Sequence, residues 1–253
     1  MPPISINANA LGLLAVAIAV VWSTSIGSSN WRAVKEKPFE RTIAVTGSAK
    51  KRITSDLIQW SATVEVKDAE RASAFKTLHQ QVETTRAFLS AKGIKAENIL
   101  PQSVTFEPLY ETEVHIVDKE RVEKQVPAGW FVQQAIKVSS SDVARVEVAS
   151  REVTALLEQG IGVRSGEPAY FYTKLGELKV EMLAAAAHDA RTRAENIVKS
   201  AGGASIGDLL GADMGVININ PANASATSWE GNNDTTSLEK DILTIVHTKF
   251  ALR

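Results

Sequence analysis

The chain has 253 residues, a formal net charge of −1 and no cysteine. That length holds one large domain or two small ones. The balanced charge excludes a whole-molecule field drawing the protein to nucleic acid, and the lack of cysteine excludes disulfides, thiolate nucleophiles and cysteine metal sites.

No charged side chain occurs from Pro2 to Trp31. The densest apolar run, Ala10–Trp22, has the length of a signal-peptide core, and a softer run from Ile4 to Ile26 has the length of a bilayer crossing. Residues 1–29 are therefore expected to form a transmembrane anchor. The alternative is a signal segment cleaved after Ser25, and a buried core helix is a third reading. Residues 30–40, ending near Pro38, read as a linker, and residues 41–253 as the domain. Arg32, Lys35, Lys37 and Arg41 follow the apolar run, which by the positive-inside rule alone leaves the domain in the cytoplasm. Glu36 and Glu40 interleave with them, and long domains translocate despite such charge.

Thr42–Thr46 alternates and predicts a strand, closed by Gly47-Ser48. Ala49–Thr54, with Lys50-Lys51-Arg52, reads as a solvated basic turn. Asp56–Lys67 places Ile58, Trp60, Ala62, Val64 and Val66 on one face, the period of a half-buried strand. Asp68 is positioned to cap a helix reaching Lys92, whose stripe is Phe75, Leu78, Val82, Thr85 and Leu89. Gly93 fits its C-terminal cap. A strand follows at about Gln102–Glu111, then a charged hairpin tip over Glu111–Lys124, then a strand over Pro127–Ser139. Ser141 is expected to cap a second helix, ending at Gly160-Ile161 before a strand at Ala169–Thr173. The order from Asp56 to Thr173 is β-α-β-β-α-β, the ferredoxin-like order, on one antiparallel sheet. Leu175–Ala201 predicts a long helix whose alanine face permits close approach of a helix or sheet. An extended stretch over Ile206–Asn220, a mobile loop over Pro221–Ser237 and a closing strand over Lys240–Leu252 complete an α+β fold.

The sequence contains no credible catalytic constellation. Ser-x-x-Lys spacing occurs at Ser48–Lys51, Ser73–Lys76 and Ser237–Lys240, but without its companion motifs. No Walker A loop, Gly-x-Ser-x-Gly elbow or His-Glu-x-x-His is present. His188 and Asp189 are adjacent on a helix and so do not share a face. Trp130, Phe131, Tyr170 and Tyr172 stand on alternating strands and are the candidates for a ligand or subunit contact.

Spread along the chain are an ordered set of marks. They are Ile43-Ala44-Val45-Thr46-Gly47-Ser48-Ala49, Ser55-Asp56, Gly93-Ile94, Asn98-Ile99, Pro108-Leu109-Tyr110 and Gly129-Trp130. Ala186-Ala187-His188-Asp189-Ala190-Arg191-Thr192-Arg193-Ala194-Glu195 follows, then Gly202, Gly203 and Ile206-Gly207. In this order they resemble the SIMPL-domain (DUF541) family, which includes bacterial periplasmic and outer-membrane-associated proteins. Ser55, Asn98 and Trp130 depart from its pattern and suggest a subgroup. The resemblance implies an α+β fold, an envelope location, a tendency to large oligomers and a loose link to envelope or oxidative stress. It carries no catalytic residue.

The expectation is thus a non-enzymatic, membrane-anchored envelope protein without cofactor or metal, self-assembling through sheet edges and the alanine-rich helix. The domain is expected in the periplasm or outside the cell, with a cleaved, soluble periplasmic form as the alternative. A ligand-binding envelope module using the four aromatic residues, with a small-molecule ligand of unspecified identity, is the alternative function. An enzyme of uncharacterised activity is a third.

Overall fold

The computed structural model describes residues 8–35, 41–117, 120–224 and 226–253. Helix α1 spans Ala8–Lys35, so helical backbone extends into the stretch read as a linker, whose residues 36–40 lie outside the described ones. Among the described residues no helix is long and apolar enough to cross a membrane. The dense run Ala10–Trp22 covers roughly 20 Å as α-helix, against about 30 Å of hydrocarbon. Beyond it Ser23 and Thr24 turn their hydroxyls back onto the Val20 carbonyl.

The first strand, β1, is a single element over Thr42–Thr54. It pairs along its whole length with β8, Glu239–Leu252, from Thr42 opposite Ala251 to Thr54 opposite Glu239. Lys50-Lys51-Arg52 is therefore strand and not a turn. Its charges are met by other elements: Lys50 and Arg52 by Asp241 at 3.0 and 2.9 Å, Lys51 by Glu181 at 2.7 Å. Asp241 also accepts the Asn223 N–H at 2.8 Å. Arg52 foremost, then Asn223 and Lys50, hold its carboxyl well below the usual range.

The remaining elements are β2 (Leu57–Asp68), α2 (Arg71–Ala91), β3 (Ile99–Val117), β4 (Glu120–Ser140) and α3 (Val143–Glu152), continued by a 3-10 turn over Val153–Gln159. Then come β5 (Val163–Ser165), β6 (Ala169–Phe171), α4 (Leu175–Ala201) and β7 (Ile206–Pro221). The fold is α+β, with two antiparallel sheets, and the strands between Asp56 and Thr173 share one of them as the sequence predicts. The first has the order β1-β8-β7 and the second β3-β4-β2-β5, with β6 also on β2. The opening and closing strands pair with one another, with β8 between β1 and β7, apart from the second sheet. There the β-α-β-β-α-β order ends in two three-residue strands, β5 and β6, instead of one.

Local signals shift accordingly. Asp68 ends β2, and its carboxylate accepts the Glu70 N–H and the Ser73 hydroxyl, while α2 itself starts at Arg71. The cap of α3 is Asp142, accepting the Arg145 N–H, and not Ser141. The stretch Glu111–Lys124 is the end of a hairpin, as expected, and β3 and β4 stay paired out to Val117 opposite Glu120, making a long two-stranded arm.

Alternation on β2 works as the sequence predicts. Ile58, Trp60, Ala62 and Val64 are buried against Ala74, Leu78, Val82 and Leu89 of α2 and Val146 and Ala149 of α3. Phe75 departs from the predicted stripe. Ala74 takes the core position and Phe75 points outward, 52% exposed.

The first sheet is covered by α4. Leu178 and Met182 meet Ile53, Ile219 and Ile242 in a second, smaller core. Ala186, Ala190 and Ala194 have no exposed surface, so the alanine face is used within the chain and is not free for assembly. Gly47 shows why small residues are needed on both sides. A Cβ there would overlap the Ala186 carbonyl oxygen and the Ala190 backbone nitrogen, and would lie 2.6 Å from the Ala190 Cβ. Beside it, the Ser48 N–H donates to Asp189 Oδ2 at 2.8 Å, and Arg193 pairs with the same oxygen at 2.8 Å. The Ser48 N–H foremost, then Arg193, lower the Asp189 carboxyl below its ordinary value. Asp189 is thus a fastening residue turned onto β1.

Gly47→Ala is expected to cost about 1–3 kcal/mol by overpacking, a loss of several degrees in Tm. Asp189→Ala is expected to cost about 1–3 kcal/mol, because it strands the Ser48 N–H. A carboxyl lowered by folding stabilises above its unfolded pKa and ceases to do so as pH falls through the folded one. The gap in Tm between wild type and Asp189→Asn should therefore narrow on acidification, as followed by circular dichroism.

Candidate ligand-binding groove

A groove of about 620 Å³ opens between the first turns of α2 and the β3–β4 ladder, lined by Glu70, Arg71, Ala72, Phe75, Val104, Phe106, Trp130 and Val132. Strand register builds its floor. Phe106 lies opposite Val132 and Pro108 opposite Trp130, so the two rings sit diagonally on one face, which β4 continues inward through buried Val132 and Ile136. Their centroids are 6.3 Å apart with planes at 63°, an edge-to-face contact. The Arg71 guanidinium lies 3.9 Å from the Phe106 centroid and 5.2 Å from that of Trp130. The arrangement offers a cation, two aromatic faces and an apolar wall at one opening.

The four aromatic candidates do not converge. Trp130 is in this groove. Phe131, the next residue on β4, projects from the opposite face of the sheet, paired with Lys67 and Glu107. Tyr170 is 8% exposed in the main core, with its hydroxyl 3.3 Å from Glu147 Oε1, and burial foremost, then Glu147, raises its pKa. Tyr172 reaches the second core, and both tyrosines line a separate cavity of about 100 Å³. Of the groove residues, the sequence reading passes over Arg71 and Phe106 and assigns Phe75 to the buried stripe of the helix. Counting back from the hairpin tip does not find the pair, because an unbroken ladder sets Phe106 opposite Phe131, and only the register shift between Leu109 and Tyr110 brings Phe106 to the face of Trp130.

Among the described residues no three acidic or histidine side chains converge to hold a metal ion. In the Ser-x-x-Lys triplets, Lys51 pairs with Glu181, Ser73 donates to Asp68 and Lys240 pairs with Asp234.

The sequence model of the family described as SIMPL, protein of unknown function (DUF541), matches residues 43–242, most of the chain. The chain belongs to the SIMPL family. No curated protein matches it.

The dispersed marks of the SIMPL domain acquire physical roles here. Gly47 and Asp189 bring β1 and α4 together. Asp56 accepts the Thr173 N–H at 2.7 Å and the Thr173 hydroxyl at 2.8 Å, tying the start of β2 to the start of α4. Burial opposes ionisation of Asp56, but these hydrogen bonds prevail and its pKa is lowered.

The described residues of the stretch Pro221–Ser237, expected to be mobile, are fastened at several points. Asn218 Oδ1 accepts the N–H groups of Ser228 and Asn232, and Asn220 accepts from the Asn232 side chain at 2.8 Å. Lys240, 2% exposed, donates to the Asp234 carbonyl and lies 3.1 Å from Asp234 Oδ2. Burial pushes the Asp234 carboxyl up, yet hydrogen bonds from Thr236, Lys240 and Ser237 hold it down, from 3.8 to about 2.

Asp234→Asn leaves a buried ammonium without its counter-ion and is expected to cost about 3–5 kcal/mol in urea unfolding. In the wild type the carboxylate's contribution is whole above its unfolded pKa of 3.8 and drains as pH falls through about 2. The destabilisation caused by the variant should shrink over that window.

Proposed function

We propose that this SIMPL protein is a non-enzymatic, membrane-anchored component of the cell envelope that self-assembles, and that any part in envelope or oxidative stress tolerance follows from that assembly. The observation that carries the reading is apolar surface left without a partner inside the chain. On α1, Leu13, Val21 and Trp22 are 73%, 64% and 72% exposed. Residues 12–26 of α1 are all exposed, an apolar surface that favours an apolar medium even though the helix is not long and apolar enough to cross a membrane, and the back-bonded hydroxyls of Ser23 and Thr24 reduce the cost of entering one. On β7, Leu209, Leu210 and Met214 are exposed at the edge of the first sheet. Membership of the SIMPL family favours an envelope setting, with the domain outside the cytoplasmic membrane, against the basic residues Arg32, Lys35, Lys37 and Arg41 that follow the apolar run. The alternative, a cleaved and soluble periplasmic domain, keeps the β7 surface and lacks the anchor.

A second reading, a ligand-binding envelope module, is favoured by one observation, the groove at Trp130, Phe106 and Arg71.

Light scattering of the full chain in a mild detergent should give a discrete oligomer, and Leu209→Glu combined with Met214→Glu should reduce its mass without changing the circular dichroism. A wild-type monomer would sink the assembly reading. Alkaline carbonate washing should leave the chain in the membrane pellet, and release into the supernatant would refute the anchor.

A further inference from the structure

We propose that the groove beneath Arg71 binds a small amphiphilic monocarboxylate, its head on the edge of the guanidinium and its tail along Phe75, Phe106 and Trp130. The inference rests on the ligand-binding reading and names the ligand class.

The first argument is the state of Arg71. It has no carboxylate at ion-pairing distance among the described residues, whereas Arg52, Arg86, Arg145 and Arg193 each have one. Its contacts are two aromatic faces. Stacking occupies the flat side of a guanidinium and leaves its N–H edge open, and that edge matches the two oxygens of a carboxylate. The ring stack also holds the side chain in place, so less rotamer freedom is lost on binding.

The second argument is the wall. Phe75 and Phe106 are 52% and 46% exposed beside the half-buried Trp130, an apolar lining for a tail of several carbons. A volume of about 620 Å³ is in the range of small-molecule sites. The third is Glu70, which lines the same groove. Its charge disfavours a doubly charged head and selects a single carboxylate over a phosphate monoester.

Calorimetric titration of the full chain in lipid nanodiscs, blanked against empty nanodiscs, tests this with octanoate and octan-1-ol. The wild type should prefer the acid by about tenfold, the worth of a charge-assisted bidentate contact. Arg71→Gln should abolish that preference and leave alcohol binding unchanged, and Phe106→Ala should weaken both. Equal binding of acid and alcohol, or a preference that survives Arg71→Gln, overturns the carboxylate assignment while leaving the groove a ligand site. Binding of neither probe overturns both.

Discussion

The close contact of α4 with β1 at Gly47 is the constraint from which the rest of the architecture follows. A helix of this length could rest on the sheet at an ordinary distance through leucine-sized residues. Here Ala186 and Ala190 bring its backbone against a glycine, and van der Waals contact replaces side-chain interdigitation. Such a contact tolerates no sliding, because any other residue of β1 would carry a Cβ into the helix. Asp189 then adds direction to position. It takes the Ser48 N–H on an edge strand, where water would otherwise be the partner, and Arg193 holds it from one turn on.

With α4 fixed, the junction of the two sheets is fixed as well. β1 passes into β2 through Ser55 and Asp56 alone, and both are engaged at the crossing. The Ser55 N–H reaches the Leu238 carbonyl at 2.9 Å and the Asp56 N–H the Phe171 carbonyl at 3.0 Å. Asp56 also holds Thr173, immediately before α4. The Tyr170 N–H extends to the Thr235 carbonyl at 2.7 Å, so the long connection into β8 is sewn to the second sheet. The buried Lys240–Asp234 pair lies in the same region. Apart from the buried Ser55 hydroxyl, which has no partner, the polar groups named at this seam have replaced water by fixed partners, which favours one relative placement of the two sheets over many.

How much of this was legible in the sequence depends on where the deciding partner lies. Leu175–Ala201 reads as one helix from its own periodicity, and the structure has those bounds. The alternation of β2 is likewise local. Lys50-Lys51-Arg52 misleads because three adjacent cations look solvated until Asp241 and Glu181 are seen across 189 and 130 positions of chain. The polar composition of 221–237 misleads for the same reason, since Asn218 and Asn220 on β7 supply the hydrogen bonds that hold it. Of the candidate site, Trp130 is found by strand alternation. Arg71 is not, since a lone arginine at a helix start carries no mark of what lies beneath it. Phe75 misleads more actively: three- and four-residue spacing admits both it and Ala74 to the stripe, and close packing against the sheet selects the smaller.

The edges of the first sheet have one more implication. On β1 the edge N–H of Ser48 is already taken by Asp189. On β7 the register breaks three times, between Ile206 and Leu209, Leu209 and Gly211, and Met214 and Ile217, and the far end is shielded where Ile219 pairs with Asn233. The β7 margin therefore presents no straight row of backbone groups, and that side of the sheet resists open-ended strand-by-strand growth of the kind that makes fibres. Apolar side chains still stand out from β7, but side-chain patches are finite and saturate. A chain whose apolar side chains stand on a broken margin can associate only through patches of fixed size, which favours closed, countable contacts over insoluble ribbons at that edge.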